Sequence, residues 1–196
     1  MSKQGKIRYD WPDADFDKSL LFDDPSSLSA DPYDVAIIGA GIVGCALACK
    51  LSGYKMKVLL LDKNFDVGEG TSKGSSAIIH TGFDAPVGTL ESALVTKASR
   101  QWPELAEKLK VPFERLGALL LAIDEEQSQQ LKNIYEKAQK NGVSDVQLLR
   151  PEKIQELEPE AGKDVRGGLL IPGESIADPF TACIAFSEVA LENGTD

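Results

Sequence analysis

The stretch DVAIIGAGIVGCALACKL, Asp34 to Leu51, limits the possible folds more than any other part of this sequence. Val35 to Ile38 is a short apolar run with β-branched residues, the pattern of a strand buried on both faces. Glycines follow at the spacing GxGxxG, and then Ile42 to Leu51, rich in Ala, Leu and Cys, runs as a helix with no breaker until Ser52-Gly53. Glycine costs backbone entropy and packs nothing, so its repeated use between two apolar segments needs a physical reason. A strand–turn–helix unit supplies one. Gly39 permits the sharp turn, Gly41 lets the backbone approach a pyrophosphate, and Gly44 lets the helix pack close to the strand. Unpaired N–H groups and a partial positive charge at the helix start suit a diphosphate.

A second strand follows in KVLLLDK, Lys57 to Lys63, with Asp62 at its carboxyl end. Asp62 lies about 20 residues past the glycines, where this kind of unit places a carboxylate that accepts hydrogen bonds from an adenosine ribose. A 2′-phosphate would be repelled there, which disfavours NADP. The candidate nucleotide-binding residues are therefore Gly39, Ala40, Gly41, Ile42, Val43, Gly44, Asp62 and Lys63. A ligand-free glycine turn beside a surface Asp is the alternative, and the three signals together weigh against it. A plain NAD-binding unit would continue into a helix and a third parallel strand. This chain instead gives NFDVGEGTSKGSSAIIHTGFDAPVGTLES, a long loop dense in Gly, Ser and Thr, which favours FAD over NAD.

Composition removes other classes. The chain has 196 residues, 42% of them hydrophobic, enough for a sizeable core. Its 21 Lys and Arg stand against 31 acids, for a net charge of −10 with no basic run, which excludes a phosphate-backbone partner. No apolar stretch approaches the ~20 residues that span a bilayer. Residues 1–30 form an acidic lead-in without the apolar region of a secretory signal, and its aspartates oppose a mitochondrial presequence. The expectation is a mobile segment whose Trp11, Phe16, Leu20, Leu21 and Phe22 dock loosely. Cys45, Cys49 and Cys183 show no CxxC and His80 is the only histidine, so no metal site is expected. The thiols read as small packing residues in a reducing, cytoplasmic setting.

DVAIIGAGIVG, then LLLDK, then GTSKGSSAIIHTGFDAPVGTLESALV, and later GGLLIPGESIADPF, together resemble the FAD-dependent oxidoreductases of the D-amino-acid oxidase type. The resemblance runs from Tyr33 to the C-terminus, and is strongest to the branch with flavin-linked glycerol-3-phosphate dehydrogenases and L-2-hydroxyglutarate oxidases. It implies an α/β fold, a Rossmann-like FAD-binding domain interleaved with part of an α+β substrate domain. The FAD-binding part would comprise residues 31–110, residues 111–175 would join the substrate domain, and the helix in 176–196 would return to the FAD domain. It also implies FAD contacts from Thr71, Ser72 and Ser76, whose hydroxyls and neighbouring N–H groups suit an anion-accepting nest. Burial of the Ala77-Ile78-Ile79 run argues against a flexible linker there. His80 has three readings: a structural histidine, a residue beside the flavin ring and the tentative catalytic group, or a covalent flavin attachment point as in some relatives, though the closer branch generally lacks that link. Two departures stand out: Asp62 where many relatives have Glu, and Ser75 where the branch often has Asn.

The implied chemistry is hydride transfer from a C–H beside a hydroxyl or amine to flavin, with a base taking the O–H or N–H proton. A small hydroxy compound, glycerol 3-phosphate-like or a 2-hydroxy acid, is the expected substrate, and quinone, oxygen or another acceptor reoxidises the flavin. Amine or amino-acid oxidation, a non-catalytic fragment and an NAD-linked dehydrogenase are the competing readings. In the family a strand begins where this chain stops at ENGTD, so the resemblance implies an incomplete N-terminal part with an unpaired edge and an uncovered apolar face.

Elsewhere, Leu90, Leu94, Ala98, Trp102, Leu105 and Leu109 predict a helix over 89–109 that packs on that stripe and kinks or breaks at Pro103. Leu131, Ile134, Tyr135 and Ala138 mark one face of a helix over 124–141 ended by Asn141-Gly142. Pro151 opens a brief helix, and Asp178-Pro179 starts another whose face is Phe180, Cys183, Ile184, Ser187 and Leu191. Arg115 and Arg166 are expected at the surface.

Overall fold

The computed structural model describes residues 31–196. The acidic lead-in, with the expected docking of Trp11, Phe16, Leu20, Leu21 and Phe22, lies outside the described residues. The elements in chain order are β1 (Val35–Ile38), α1 (Ile42–Leu51), β2 (Val58–Leu61), β3 (Ile78–Ile79), α2 (Leu90–Leu109), β4 (Phe113–Glu114), β5 (Ala118–Ala122), α3 (Glu125–Lys140), β6 (Gln147–Leu149), α4 (Pro151–Leu157), β7 (Gly167–Ile171), β8 (Ser175–Ala177) and α5 (Pro179–Glu192). They divide into two compact units: one of residues 31–77, 106–112 and 178–196, the other of 78–105 and 113–177.

In the first unit β1 and β2 are parallel, in register from Val35↔Val58 to Ile38↔Leu61. Val58 O and Leu60 N are bonded to the backbone of Asp196 at 3.0 and 2.8 Å. α1 packs on α5 and on both strands. Its buried positions are all small, Gly44, Cys45, Ala48 and Cys49, and they meet a helix that buries Ala182, Cys183, Ala185, Phe186, Val189 and Ala190. Small residues on both sides let two helix backbones approach closely, so dispersion contacts replace bulk. Asp178 caps α5 by accepting from Phe180 N, with Pro179 in the first turn as its sequence predicts.

Three expectations fail in whole or in part. β1 is not buried on both faces. Successive strand residues point to opposite sides, and within this unit helix packing reaches only the Ile37 side, leaving Ala36 exposed and Ile38 89% exposed. On α5, Cys183 and Ser187 are buried as expected, but Phe180 and Ile184 are exposed while Ala182, Ala185 and Phe186 are buried, because an almost uniformly apolar helix carries no contrast by which to pick its inner face. In α2 the expected stripe holds only toward its end, where Leu109 is buried and Trp102 and Leu105 are half-buried; Leu90, Leu94 and Ala98 are exposed, and Ser92 and Ala106 are buried instead. α2 also runs unbroken through Pro103, at the loss of one helical hydrogen bond.

The second unit centres on the antiparallel sheet β5-β7-β6, with β7 in the middle. α3 crosses it as its pattern predicts. Asp124 caps it by accepting from Gln127 N, and Leu131 and Ala138 are buried with Leu169 and Ile171 while Ile134 and Tyr135 pack on that cluster. α4 covers β7 with fully buried Ile154. A Cβ at Gly168 would meet Leu120 O at 2.6 Å, so this strand crossing needs a glycine. A smaller antiparallel sheet, β3-β8-β4, pairs Ile79 with Ser175 and Phe113 with Ala177.

Candidate functional site

Each unit carries one cluster of candidate residues. In the first, the turn between β1 and α1 begins at Gly39, whose φ of +106° is open to glycine and strained for other residues. Its N–H donates to Leu61 O at 2.7 Å. Gly44 is required by contact rather than by torsion, since a Cβ there would lie 1.8 Å from Gly39 O. The two glycines therefore depend on one another. A Cβ on Gly39 itself meets nothing within 4 Å, so the turn is open on that side.

The loop after β2 folds back onto this turn. Asp62 Oδ1 accepts from Asn64 N at 2.8 Å and Oδ2 from Ala40 N at 2.7 Å. These bonds, Asn64's first, hold the Asp62 carboxyl below the usual carboxylate range. Ala40 O accepts from Gly68 N at 2.8 Å, and Ser72 Oγ accepts from Ile42 N, the first N–H of α1, at 2.9 Å. A Cβ on Gly41 would stand 3.1 Å from that hydroxyl. The structure thus brings Gly39, Ala40, Gly41, Ile42, Gly44, Asp62 and Ser72 together. Val43 is 77% exposed on the outer side of α1, and Lys63, Thr71 and Ser76 are exposed along the loop. Cys45 donates its thiol to Ala40 O, and burial pushes that thiol up to about 12, as befits a packing residue.

The loop leaves this unit through Ala77, which holds a φ of +64°, a conformation that strains a residue with a Cβ. Burial of Ala77-Ile78-Ile79 is not what the structure has: Ala77 and Ile79 are half-buried and Ile78 is 41% exposed, since β3 is a two-residue edge strand with β8 as its sole neighbour in that sheet.

In the second unit, His80 follows β3 directly and Glu174 precedes β8 directly. The pairing Ile79↔Ser175 therefore sets them opposite each other. His80 Nδ1 lies 3.2 Å from Glu174 Oε2, the ring being 57% and the carboxylate 5% exposed. Glu174 Oε1 accepts from Thr81 N at 2.7 Å and from Thr81 Oγ1 at 2.8 Å. Asn141, expected only to end α3, also clamps the loop after His80. Its Nδ2 donates to Gly82 O and Ala85 O, each at 2.8 Å, and its Oδ1 accepts from Ser92 Oγ at 3.1 Å. His80 and Glu174 border a cavity of about 380 Å³ that Phe83, Asp84, Leu120 and Ile171 also line. Sequence reasoning missed Glu174 and Asn141. The one available signal for Glu174 was an acid in a Pro-Gly turn between two apolar segments. Arg115 and Arg166 are exposed, as expected. Among the described residues no cluster of His, Cys, Asp and Glu could hold a metal, and no helix is long and apolar enough to cross a membrane.

Comparison with known proteins gives the family and the fold. The profile of the FAD dependent oxidoreductase family, DAO, matches residues 34–196. A glycerol 3-phosphate dehydrogenase of Caloramator mitchellensis is 42% identical over 164 residues, 84% of this chain and 34% of that protein. A mitochondrial L-2-hydroxyglutarate dehydrogenase of Dictyostelium discoideum is 33% identical over 84% of this chain and 36% of its own length. Among solved structures, the dithionite-reduced L-α-glycerophosphate oxidase of Mycoplasma pneumoniae with FAD bound superposes with a TM-score of 0.80 at 30% identity, over 85% of this chain and 44% of that one. The chain spans roughly a third of the length of these curated relatives.

Proposed function

The chain belongs to the FAD dependent oxidoreductase family, whose cofactor is FAD, and from that premise we propose that it contributes the diphosphate turn and a proton-accepting histidine to an enzyme that oxidises a small hydroxy compound. Glycerol 3-phosphate-like compounds or 2-hydroxy acids are the favoured substrates, since the relatives named for those substrates are 42% and 33% identical. The observation that carries the cofactor assignment is the fold-back of the Ser72 loop onto the start of α1. A phosphate-sized group then meets a hydroxyl as well as helix N–H groups.

The residues present fit FAD. The side of Gly39 is open, the first-turn N–H groups of Val43 and Gly44 have no partner inside the helix by construction, and the Asp62 carboxylate stands exposed at the end of β2, within reach of a ribose hydroxyl donor. Lys63, Thr71 and Ser76 lie along the loop where further contacts would form. When bound, FAD supplies the two-electron acceptor for the substrate's C–H. The chain's own part is to hold the diphosphate on α1 and to take the O–H proton on His80. Residues 31–110 and 176–196 would serve FAD, and residues 111–175 the substrate. A quinone, oxygen or another acceptor would complete the cycle, and the cytoplasm is the compartment we assign.

A second reading has its own support in the length comparison: a piece that binds FAD without turning over substrate. Titrating the 196-residue chain with FAD and following flavin fluorescence tests the cofactor site. Saturable binding weakened at least tenfold by Gly41→Leu supports it; no saturation, or equal binding by the folded variant, defeats it. Anaerobic addition of glycerol 3-phosphate or L-2-hydroxyglutarate to the FAD-loaded chain separates the two readings, because bleaching of the visible flavin band occurs only in the catalytic one.

A further inference from the structure

We propose that Glu174 is a positioning residue that fixes the tautomer of His80, with the ring proton on Nδ1 and the Nε2 lone pair left free. Each step rests on which atoms can donate. An ionised carboxylate only accepts. Oε1 of Glu174 already takes two donors, the N–H and the hydroxyl of Thr81, at 2.7 and 2.8 Å. Oε2 then lies 3.2 Å from His80 Nδ1, where the carboxylate charge favours a proton on that nitrogen over a bare lone pair. In the neutral ring that leaves Nε2 as an acceptor, on a side chain 57% exposed. The same logic governs carboxylate–histidine pairs in hydrolases, where the wrong tautomer abolishes base function with the geometry intact.

The surroundings hold the carboxylate in place. Its side chain is 5% exposed, so swinging away would bury unsatisfied donors on Thr81. A Cβ at Gly173 would come within 2.9 Å of Thr81 Cγ2, so the turn that presents Glu174 is seated against the residue it bonds. Gly117 N donates to Glu174 O at 2.9 Å, and Asn141 pins Gly82 and Ala85 just beyond. Both sides of the His80–Glu174 contact are thus held by backbone. Use of the free Nε2 as the proton acceptor rests on the reading under Proposed function; the tautomer itself does not.

The competing explanation is that Glu174 staples Thr81 and that His80 is incidental. Glu174→Gln separates them. The amide oxygen can still accept both Thr81 donors, which keeps the loop, but the NH₂ group then faces Nδ1 and donates to it. The ring proton must move to Nε2. His80 is the only histidine in the sequence, so a long-range ¹H–¹⁵N spectrum of the labelled 196-residue chain, taken at alkaline pH where imidazoles are neutral, reads this ring without assignment. The expected wild-type pattern has a protonated-type Nδ1 and an acceptor-type Nε2, and Glu174→Gln exchanges the two with the amide spectrum otherwise preserved. An averaged or Nε2–H wild-type ring would overturn the proposal, as would an unchanged ring in a folded Gln variant. Should the variant not fold, the wild-type spectrum alone decides. The readout needs no turnover, so failure of the substrate reading leaves it standing, and a wrong tautomer leaves FAD binding by the other unit untouched.

Discussion

The parallel pair β1-β2 and the antiparallel sheet β5-β7-β6 are built from strands of similar apolar content, VAII and VLLL against ALLLA and GGLLI. Their environments differ sharply. In the first, Ile38 is 89% and Leu61 44% exposed; in the second, Leu169 and Ile171 are wholly buried. The second sheet lies under α3 and α4, and its central strand has a neighbour on each edge. The first is covered by α1 on one side, and its other side carries exposed Ala36 and Ile38. An apolar run says that a strand wants cover, and only the neighbouring elements say how much it receives.

The largest effect that tests this contrast is expected at the turn of the thinner sheet. Gly44→Ala forces a Cβ into Gly39 O at 1.8 Å, and should destabilise the chain by about 3 kcal/mol or more. Urea unfolding followed by circular dichroism measures it, and a midpoint close to wild type would mean that α1 does not sit as tightly on β1 as described. Leu169→Ala, in the covered sheet, removes a side chain with no exposure and should cost about 3 kcal/mol; a loss under about 1 kcal/mol would show a core able to collapse around the gap.

A smaller effect is expected from Cys45. Burial raises its folded pKa from the ordinary 9.0 to about 12, so the native state favours the neutral thiol. Its contribution to stability is complete below pH 9 and is lost as pH rises toward 12. Alkylation near pH 8 should run on the order of a thousandfold slower than for a free thiol, and rapid labelling in native buffer would contradict the close packing of α1. Smallest of all, Ile38→Thr should change stability by no more than about 0.5 kcal/mol, because an exposed side chain has little burial to lose. A cost near that of Leu169→Ala would show that something covers this face in solution.

The glycine spacing and Asp62 were legible in the sequence because their chemistry is local: torsion, close approach, and a carboxylate at a strand end. Asp178 as a cap, and the inner face of α3, were legible for the same reason. The inner faces of α2 and α5 were legible only in part, at Leu109 and at Cys183 and Ser187. α5 is apolar all round, and the buried positions of α2 include Ser92, whose hydroxyl donates to Asn141. Glu174 was illegible. Its partner Thr81 lies 93 residues away, and no local pattern distinguishes a buried acceptor from one more surface acid.

By itself, then, the sequence determined the α/β class, the family resemblance and the glycine turn between β1 and α1, since these follow from backbone freedom and short-range periodicity. Tertiary structure alone decided which face of β1 stays open and which acid orients the one histidine. Both depend on register and packing between segments far apart in the chain, and contacts of that kind leave no mark on either segment alone.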